Sequence, residues 1–141
     1  MLSIGVRRLT WIAVAVGGLA LVFLFQGVDV VSIFCDCYLH PNTHFAIRKI
    51  VRVVLNDTFM LLLIHAWFFD KRITRLAWYV QIVDMLILLP IYLLIKLQME
   101  GDSEISSPLL SQFHRLIVNP TLMVLIIPAV YYQRMTQRSA A

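Results

Sequence analysis

Four long apolar runs dominate this chain and limit what it can fold into. An α-helix needs on the order of 20 mostly apolar residues to cross a hydrocarbon core of about 30 Å. The runs approach this length and occupy residues 9–25, 50–69, 76–97 and 116–132. Because 60% of the 141 residues are apolar and only 14% are charged, too few polar residues remain to cover a water-soluble globule. We therefore predict an all-α integral membrane protein with four transmembrane helices.

The segments between the runs are too short for a second folded unit. We predict a single membrane domain over residues 1–141, with two longer connections at residues 26–49 and 98–115 on one side of the membrane. Arg7 and Arg8 precede the first run, as basic residues also do in cleavable signal peptides. Because no small-residue cleavage site follows the run, we expect it to be retained as a membrane anchor.

The basic residues predict the orientation, because cytoplasmic loops are enriched in lysine and arginine. With a cytoplasmic N-terminus, the cytoplasmic side holds Arg7, Arg8, Lys71, Arg72, Arg75, Arg134 and Arg138. The other side holds Arg48, Lys49, Arg52, Lys96 and Arg115. We therefore predict that both termini are cytoplasmic. The formal net charge of +4 then reflects topology, so we expect membrane lipid around the chain and no nucleic-acid partner.

Several polar residues lie inside the predicted spans. Ionisable groups in hydrocarbon cost roughly 2.5 kcal/mol or more at the midplane, so they usually face protein or water. Counted from the cytoplasmic span ends at 1.5 Å per residue, Asp57 lies roughly 18 Å deep and Asn119 about 20 Å deep. Arg52 and Arg115 lie about one turn beyond these two residues.

These polar residues predict a cluster near the outer leaflet. Its members are Arg52, Asn56, Asp57, His114, Arg115 and Asn119. The spacing of four supports the grouping, because it places Arg52 and Asn56 on one helical face, and Arg115 and Asn119 on another. The cluster can fasten the second helix to the fourth, or it can form a docking site for a partner's polar loop. The two roles are compatible.

A second intramembrane pair consists of His65 and Asp84, at predicted depths of about 6 and 12 Å. A carboxylate beside an imidazole can relay protons, or the two can form a single buried hydrogen bond. An alternative function follows from the first reading. In it the protein is a small proton or ion pathway that uses His65, Asp84 and Asp57, and a structural membrane scaffold is a further alternative.

Enzymatic motifs and cofactor sites are not predicted. No serine, threonine or cysteine stands at the depth of His65 as a nucleophile, and phosphate-binding and zinc-protease motifs are absent from the sequence. Cys35 and Cys37 lie near His40 and His44, but a single residue between two cysteines is poor geometry for zinc. We therefore expect no catalytic activity, no metal and no cofactor, and the oxidation state of the two cysteines stays open.

Prolines and glycines predict where helices bend or approach one another. Pro90 and Pro128 lie inside runs, where proline removes a backbone hydrogen bond, and we expect bends there. Pro120 suits the first turn of a helix. Gly17 and Gly18 permit the close approach of another helix, and the sequence does not say whether that helix belongs to the same chain.

Two segments resemble a known family. Residues 52–65 read RVVLNDTFMLLLIH, and residues 113–133 read FHRLIVNPTLMVLIIPAVYYQ. These segments are similar to the small membrane proteins associated with exosortases in Bacteroidetes, namely the exosortase F and exosortase X system-associated proteins. The resemblance extends from the second run to the C-terminus, and the closing H-R-L-x-x-N-P and P-A-x-Y-Y-Q patterns are its most specific part.

The resemblance implies a location and a partner. Exosortases are multi-span membrane cysteine transpeptidases that process proteins bearing a C-terminal sorting signal, with active residues near the outer face. Their associated proteins resemble non-catalytic companions. The resemblance therefore implies an accessory subunit of a protein-sorting system, located in the bacterial inner membrane, that docks to the exosortase or to its substrate. The polar cluster lies at the level where such a partner works.

Overall fold

The computed structural model describes residues 4–29, 32–33, 38, 40–99 and 107–140. Within these residues the chain is helical, which confirms the all-α prediction. The elements are α1 (Ile4–Leu24), α2 (Pro41–Phe68), α3 (Lys71–Val83), a π-helical turn (Asp84–Leu88), α4 (Leu89–Met99), α5 (Pro108–Val118) and α6 (Thr121–Ser139). Three helices are long and apolar enough to cross a membrane: α1, α2 and the continuous helix Lys71–Met99. A fourth candidate is the pair formed by α5 and α6.

The fourth apolar run differs from its prediction as one helix. It is divided between α5 and α6, whose axes are bent by 65°. Asn119, between them, has extended backbone angles of φ −89° and ψ 144°. The cause is Pro120, because the ring of a proline disfavours helical geometry in the residue before it. As the sequence indicated, the longer of the two helices begins directly after this proline.

A tight turn joins α2 and α3 into an antiparallel hairpin. Phe69 ends α2 in the left-handed conformation, with φ 51° and ψ 32°, and its N–H donates to the carbonyl of His65 at 3.0 Å. Asp70 begins α3, because its Oδ1 accepts a hydrogen bond from the N–H of Arg72 at 2.8 Å. Since only two residues connect the helices, positions equally distant from the turn lie at the same level.

Helix α2 is the centre of the fold and contacts every other helix. Two apolar clusters follow one another along it. The cluster nearer the turn consists of Met60, Ile64, Ile73, Ala77, Met123, Ile126 and Val130. The second consists of Val53, Leu89, Tyr92, Leu110, Ile117 and Val118. Thus α6 packs against the half of the hairpin that carries the turn, and α5 packs against the other half.

Large apolar side chains also cover the outside of the helices. Leu9, Leu24 and Leu86 are 68%, 73% and 71% exposed, which would be costly in water. In a bilayer such side chains contact lipid tails. The exposed apolar surface and the candidate spans together suggest a membrane-associated multi-pass protein.

The two adjacent glycines of α1 have different surroundings. Gly18 is buried against the ring of Phe59 in α2, and a Cβ atom at this position would overlap the ring. At Gly17 a Cβ atom would meet no heavy atom within 4 Å. The helix that approaches Gly18 therefore belongs to the same chain, which answers the question that the sequence left open.

Pro90 is preceded by the π-helical turn. Within that region the N–H of Leu89 donates to the carbonyl of Asp84, five residues earlier. Pro90 has no N–H to donate, so the regular ladder is interrupted where the turn ends. Instead of ending, the helix continues as α4.

Four helix ends meet at the α2–α3 turn, and we call this the turn end of the molecule. Arg8 of α1 donates from Nε to the carbonyl of Ala66 at 2.9 Å and from Nη2 to the carbonyl of Trp67. The indole of Trp67 donates to the hydroxyl of Tyr131 in α6 at 3.0 Å. Arg134 of α6 lies 3.7 Å from Asp70. The start of α1 and the end of α6 therefore share one end, while the side of the membrane that it faces stays a prediction.

Candidate functional site

Polar contacts tie the helices together in the half of the molecule that lies away from the α2–α3 turn, which we call the far end. We call these contacts the far-end polar cluster, made of Gln26, Arg52, Asn56, Tyr92 and His114. Arg52 of α2 donates from Nη2 to Oε1 of Gln26, beyond the end of α1, at 2.7 Å. The hydroxyl of Tyr92 in α4 lies 2.7 Å from Nδ1 of His114 in α5. The first contact links the end of α1 to α2, and the second links α4 to α5.

Asn56 makes the buried contact of this cluster. Its Nδ2 donates to the carbonyl of Val118 at 2.9 Å, and only 7% of Asn56 is exposed. Val118 is the last residue of α5, so its carbonyl has no partner within its own helix. The side chain of Asn56 supplies that partner and fixes the end of α5 against α2.

The six residues predicted to cluster have different surroundings in the structure. Asn56 and His114 contact neighbouring helices, and Arg52 contacts Gln26. Arg115 and Asn119 are exposed at the bend between α5 and α6. The backbone carbonyl of Arg115 accepts from the hydroxyl of Thr121 at 3.2 Å. The sixth residue, Asp57, is fully buried and lies near Asp84.

Asp57 lies in the interior, close enough to Asp84 for the two carboxyl groups to interact. Asp57 is 0% exposed and Asp84 is 3% exposed. Both carboxyl oxygens of Asp57, and Oδ1 of Asp84, are buried without a hydrogen-bond partner. The pair occupies a level between the two apolar clusters, since Val53 and Met60 flank Asp57 along α2. We call these two residues the carboxyl pair.

The position of the turn in the sequence could have predicted the carboxyl pair. Asp57 precedes Asp70 by 13 residues and Asp84 follows it by 14, so both lie about 20 Å along their helices from the turn. The sequence-based depths were measured from residues 69 and 76 instead. Because α3 already begins at Lys71, that choice displaced Asp84 from the level of Asp57 and towards that of His65.

His65 and Asp84 have separate neighbours in the structure. Nδ1 of His65 lies 3.0 Å from the hydroxyl of Thr74, across the α2–α3 turn. That hydroxyl also donates to the carbonyl of Asp70 at 2.9 Å. His65 is exposed near the turn end, whereas Asp84 is buried with Asp57. A proton pathway through all three residues would need them to face one cavity, and this alternative stays a prediction.

The cysteine-containing loop is only partly described. Cys35 and Cys37 lie outside the described residues. Nδ1 of His40 accepts from the N–H of Asn42 at the start of α2, and Nε2 of His44 lies 3.1 Å from Asp29. Across the described ranges, no three His, Cys, Asp or Glu side chains are grouped as a metal site requires.

A small cavity of about 90 Å³ opens at the far end, between the end of α1 and α2. Its polar lining residues are Gln26, Arg48, Lys49 and Arg52, and its apolar ones are Val22, Phe25, Val28, Val51 and Leu55. The far end therefore combines basic side chains, a concave surface and the exposed bend between α5 and α6.

Comparison with known proteins adds no relative to this description: no protein-family model, curated protein or solved structure matches the chain. The structure itself supports a general class for this protein. The described part of the chain is all-helical, with three to four helices that are long and apolar enough to cross a membrane, organised around α2 and joined by polar contacts at the turn end and the far end.

Proposed function

We propose that this protein is a non-catalytic accessory subunit of an exosortase-type protein-sorting system in a bacterial inner membrane, and that it docks to its partner through its far end. One observation carries the proposal. The two segments that resemble exosortase-associated proteins, residues 52–65 and 113–133, lie far apart in sequence, yet Asn56 in the first donates to the Val118 carbonyl in the second. The two segments are therefore packed together, and the exposed part of the second is the surface that we propose for docking.

The exposed part of this surface has the chemistry of a protein contact. Arg115 is exposed on α5, and Phe113 is 53% exposed on a different face of the same helix, because residues two apart in a helix do not share a face. Aromatic and arginine side chains are enriched among the residues that contribute most to protein–protein binding. The bonds of Asn56 and His114 hold α5 in place behind them, so the surface is preorganised and less side-chain ordering is needed on binding.

The distribution of basic residues supports a contact on the outer side of the membrane. Under the positive-inside rule the turn end, with Arg8, Lys71, Arg72 and Arg134, faces the cytoplasm. The far end then faces outward, where the resemblance implies that the active residues of an exosortase lie. The hydroxyls of Thr58, Thr74 and Thr121 each donate to a backbone carbonyl, a structural use that supports a non-catalytic role.

Co-purification tests the proposed partner. The tagged protein would be extracted from native membranes in mild detergent, and its partners identified by mass spectrometry. We expect the wild type to recover an exosortase and Arg115→Ala to recover about tenfold less, which corresponds to about 1.4 kcal/mol of binding free energy. Arg138→Ala is the matched control, because Arg138 is also an exposed arginine but lies in the last turn of α6.

Two results would contradict the proposal in different ways. If the wild type recovers no exosortase, the partner is wrong. If Arg115→Ala and Arg138→Ala both recover as much as the wild type, the partner stands but the far end is not its docking site. Size-exclusion profiles of the three proteins show whether each variant keeps the fold.

A further inference from the structure

The carboxyl pair carries an inference that is independent of the proposed function. We propose that Asp57 and Asp84 bind one proton between them, so that the protonated carboxyl group of one residue donates a hydrogen bond to the carboxylate of the other. The pair joins α2 to the π-helical turn that begins at Asp84. The proton is therefore a ligand that closes the hairpin at the level between its two apolar clusters.

The first argument is the number of donors and acceptors. An ionised carboxylate only accepts hydrogen bonds, whereas a protonated carboxyl group also donates one. Both oxygens of Asp57 and Oδ1 of Asp84 are buried without a donor. Two ionised groups would leave these acceptors unpaired, and buried polar groups without partners are destabilising. One proton supplies a donor between the two residues and so engages two of these three oxygens.

The second argument is charge. Two carboxylates that face each other in a medium of low dielectric repel strongly, and two carboxyl groups sharing one site do not both ionise. A buried isolated charge is costly, and such groups take up a proton instead. Neither residue has an ion pair with a basic side chain in the part of the chain that the structure describes.

The ionisable side chains nearest to the pair along the surrounding elements are Arg52 and His65 on α2, Arg75 and Tyr79 on α3, Tyr92 and Lys96 on α4, and His114 and Arg115 on α5. Arg52 bonds to Gln26, and Lys96 is 12 residues beyond Asp84, or about 18 Å along the helix. Between residues 9 and 25, α1 has no ionisable side chain, and α6 has none before Tyr131.

The π-helical turn is an independent observation at the same place. Such turns are rare, and they occur frequently at functional sites. Here the turn begins at Asp84, whose carbonyl accepts from the N–H of Leu89, five residues later. The irregular backbone thus coincides with the buried carboxyl group that faces Asp57.

Infrared spectroscopy of the purified protein tests the proposal. A protonated carboxyl group has a carbonyl-stretch band that is separate from those of carboxylates and that shifts in D₂O. We expect the wild type at neutral pH to show this band, and Asp57→Asn and Asp84→Asn each to abolish it. An asparagine amide can donate to the remaining carboxylate and so replaces the proton. Asp70→Asn, at the exposed turn, is the control and should retain the band.

Each other outcome overturns the proposal. Absence of the band in the wild type would mean that no proton is held, as would be the case if a metal cation neutralised the pair. Retention of the band in either single variant would mean that the carboxyl groups are protonated separately. If a single variant fails to fold, the double variant Asp57→Asn/Asp84→Asn, in which two amides can pair, gives the result. It must lack the band, and its presence contradicts the assignment.

Discussion

Replacing Gly18 by leucine is expected to separate α1 from the helical core, whereas the same substitution at Gly17 is expected to be tolerated. A side chain at Gly18 would overlap the Phe59 ring, and one at Gly17 would enter open space. Overpacking of this kind typically costs 1–3 kcal/mol, occasionally more. Because the residues are neighbours in the same helix, the change in helix propensity is the same, and the difference between the variants isolates the contact.

Unfolding by titration with denaturing detergent measures this difference. We expect the free energy of unfolding to fall by at least about 1–3 kcal/mol for Gly18→Leu and by much less for Gly17→Leu. Adding Phe59→Ala to Gly18→Leu should restore part of the loss, since residues in contact give non-additive effects. Equal destabilisation by the two glycine substitutions would show that α1 does not pack on α2 in this way.

Replacing Asn56 by alanine is expected to have the other large effect. The substitution removes the donor to the Val118 carbonyl and leaves that carbonyl unpaired in a buried position. A loss of this kind costs about 1–3 kcal/mol. Because the bond holds α5 against α2, we also expect Asn56→Ala to reduce recovery of the exosortase, although Asn56 is itself buried.

Asn119→Ala is the matched control for Asn56, because Asn119 is exposed at the bend and the same atoms are removed. Unfolding should distinguish the two variants clearly. A similar stability for both would mean that the bond between Asn56 and α5 contributes little. If Asn56→Ala greatly lowers the free energy of unfolding but does not change exosortase recovery, docking does not depend on the bond that holds α5 in position.

The helices were predictable from the apolar runs, but their lengths were not. The second run begins at residue 50, whereas α2 begins at Pro41. The additional turns contain His44, Arg48 and Lys49, which lower hydropathy without opposing helix formation. Hydropathy thus locates the part of a helix that suits a membrane. It does not locate the ends of the helix.

The polar residues were predictable as a set but not as pairs. The amide of Asn56 links α2 to α5, as expected for the set, whereas the imidazole of His114 contacts Tyr92 of α4. Asp84 could be predicted as the neighbour of Asp57 only from the position of the hairpin turn. A shift of five residues in the start of α3 moves Asp84 by about 8 Å along the helix. Arg115 is exposed beside the 65° bend at Pro120, and counting residues in the sequence does not predict the direction of that bend.

Site-specific photo-crosslinking in the native cells tests the central claim most directly. A photoreactive amino acid would be placed at position 115 in the far end and, for comparison, at position 138 in the last turn of α6, and the crosslinked proteins would be identified by mass spectrometry. We predict that an exosortase is captured from position 115 and not from position 138. Capture from position 138 alone, or capture of no exosortase from either position, would contradict docking through the far end.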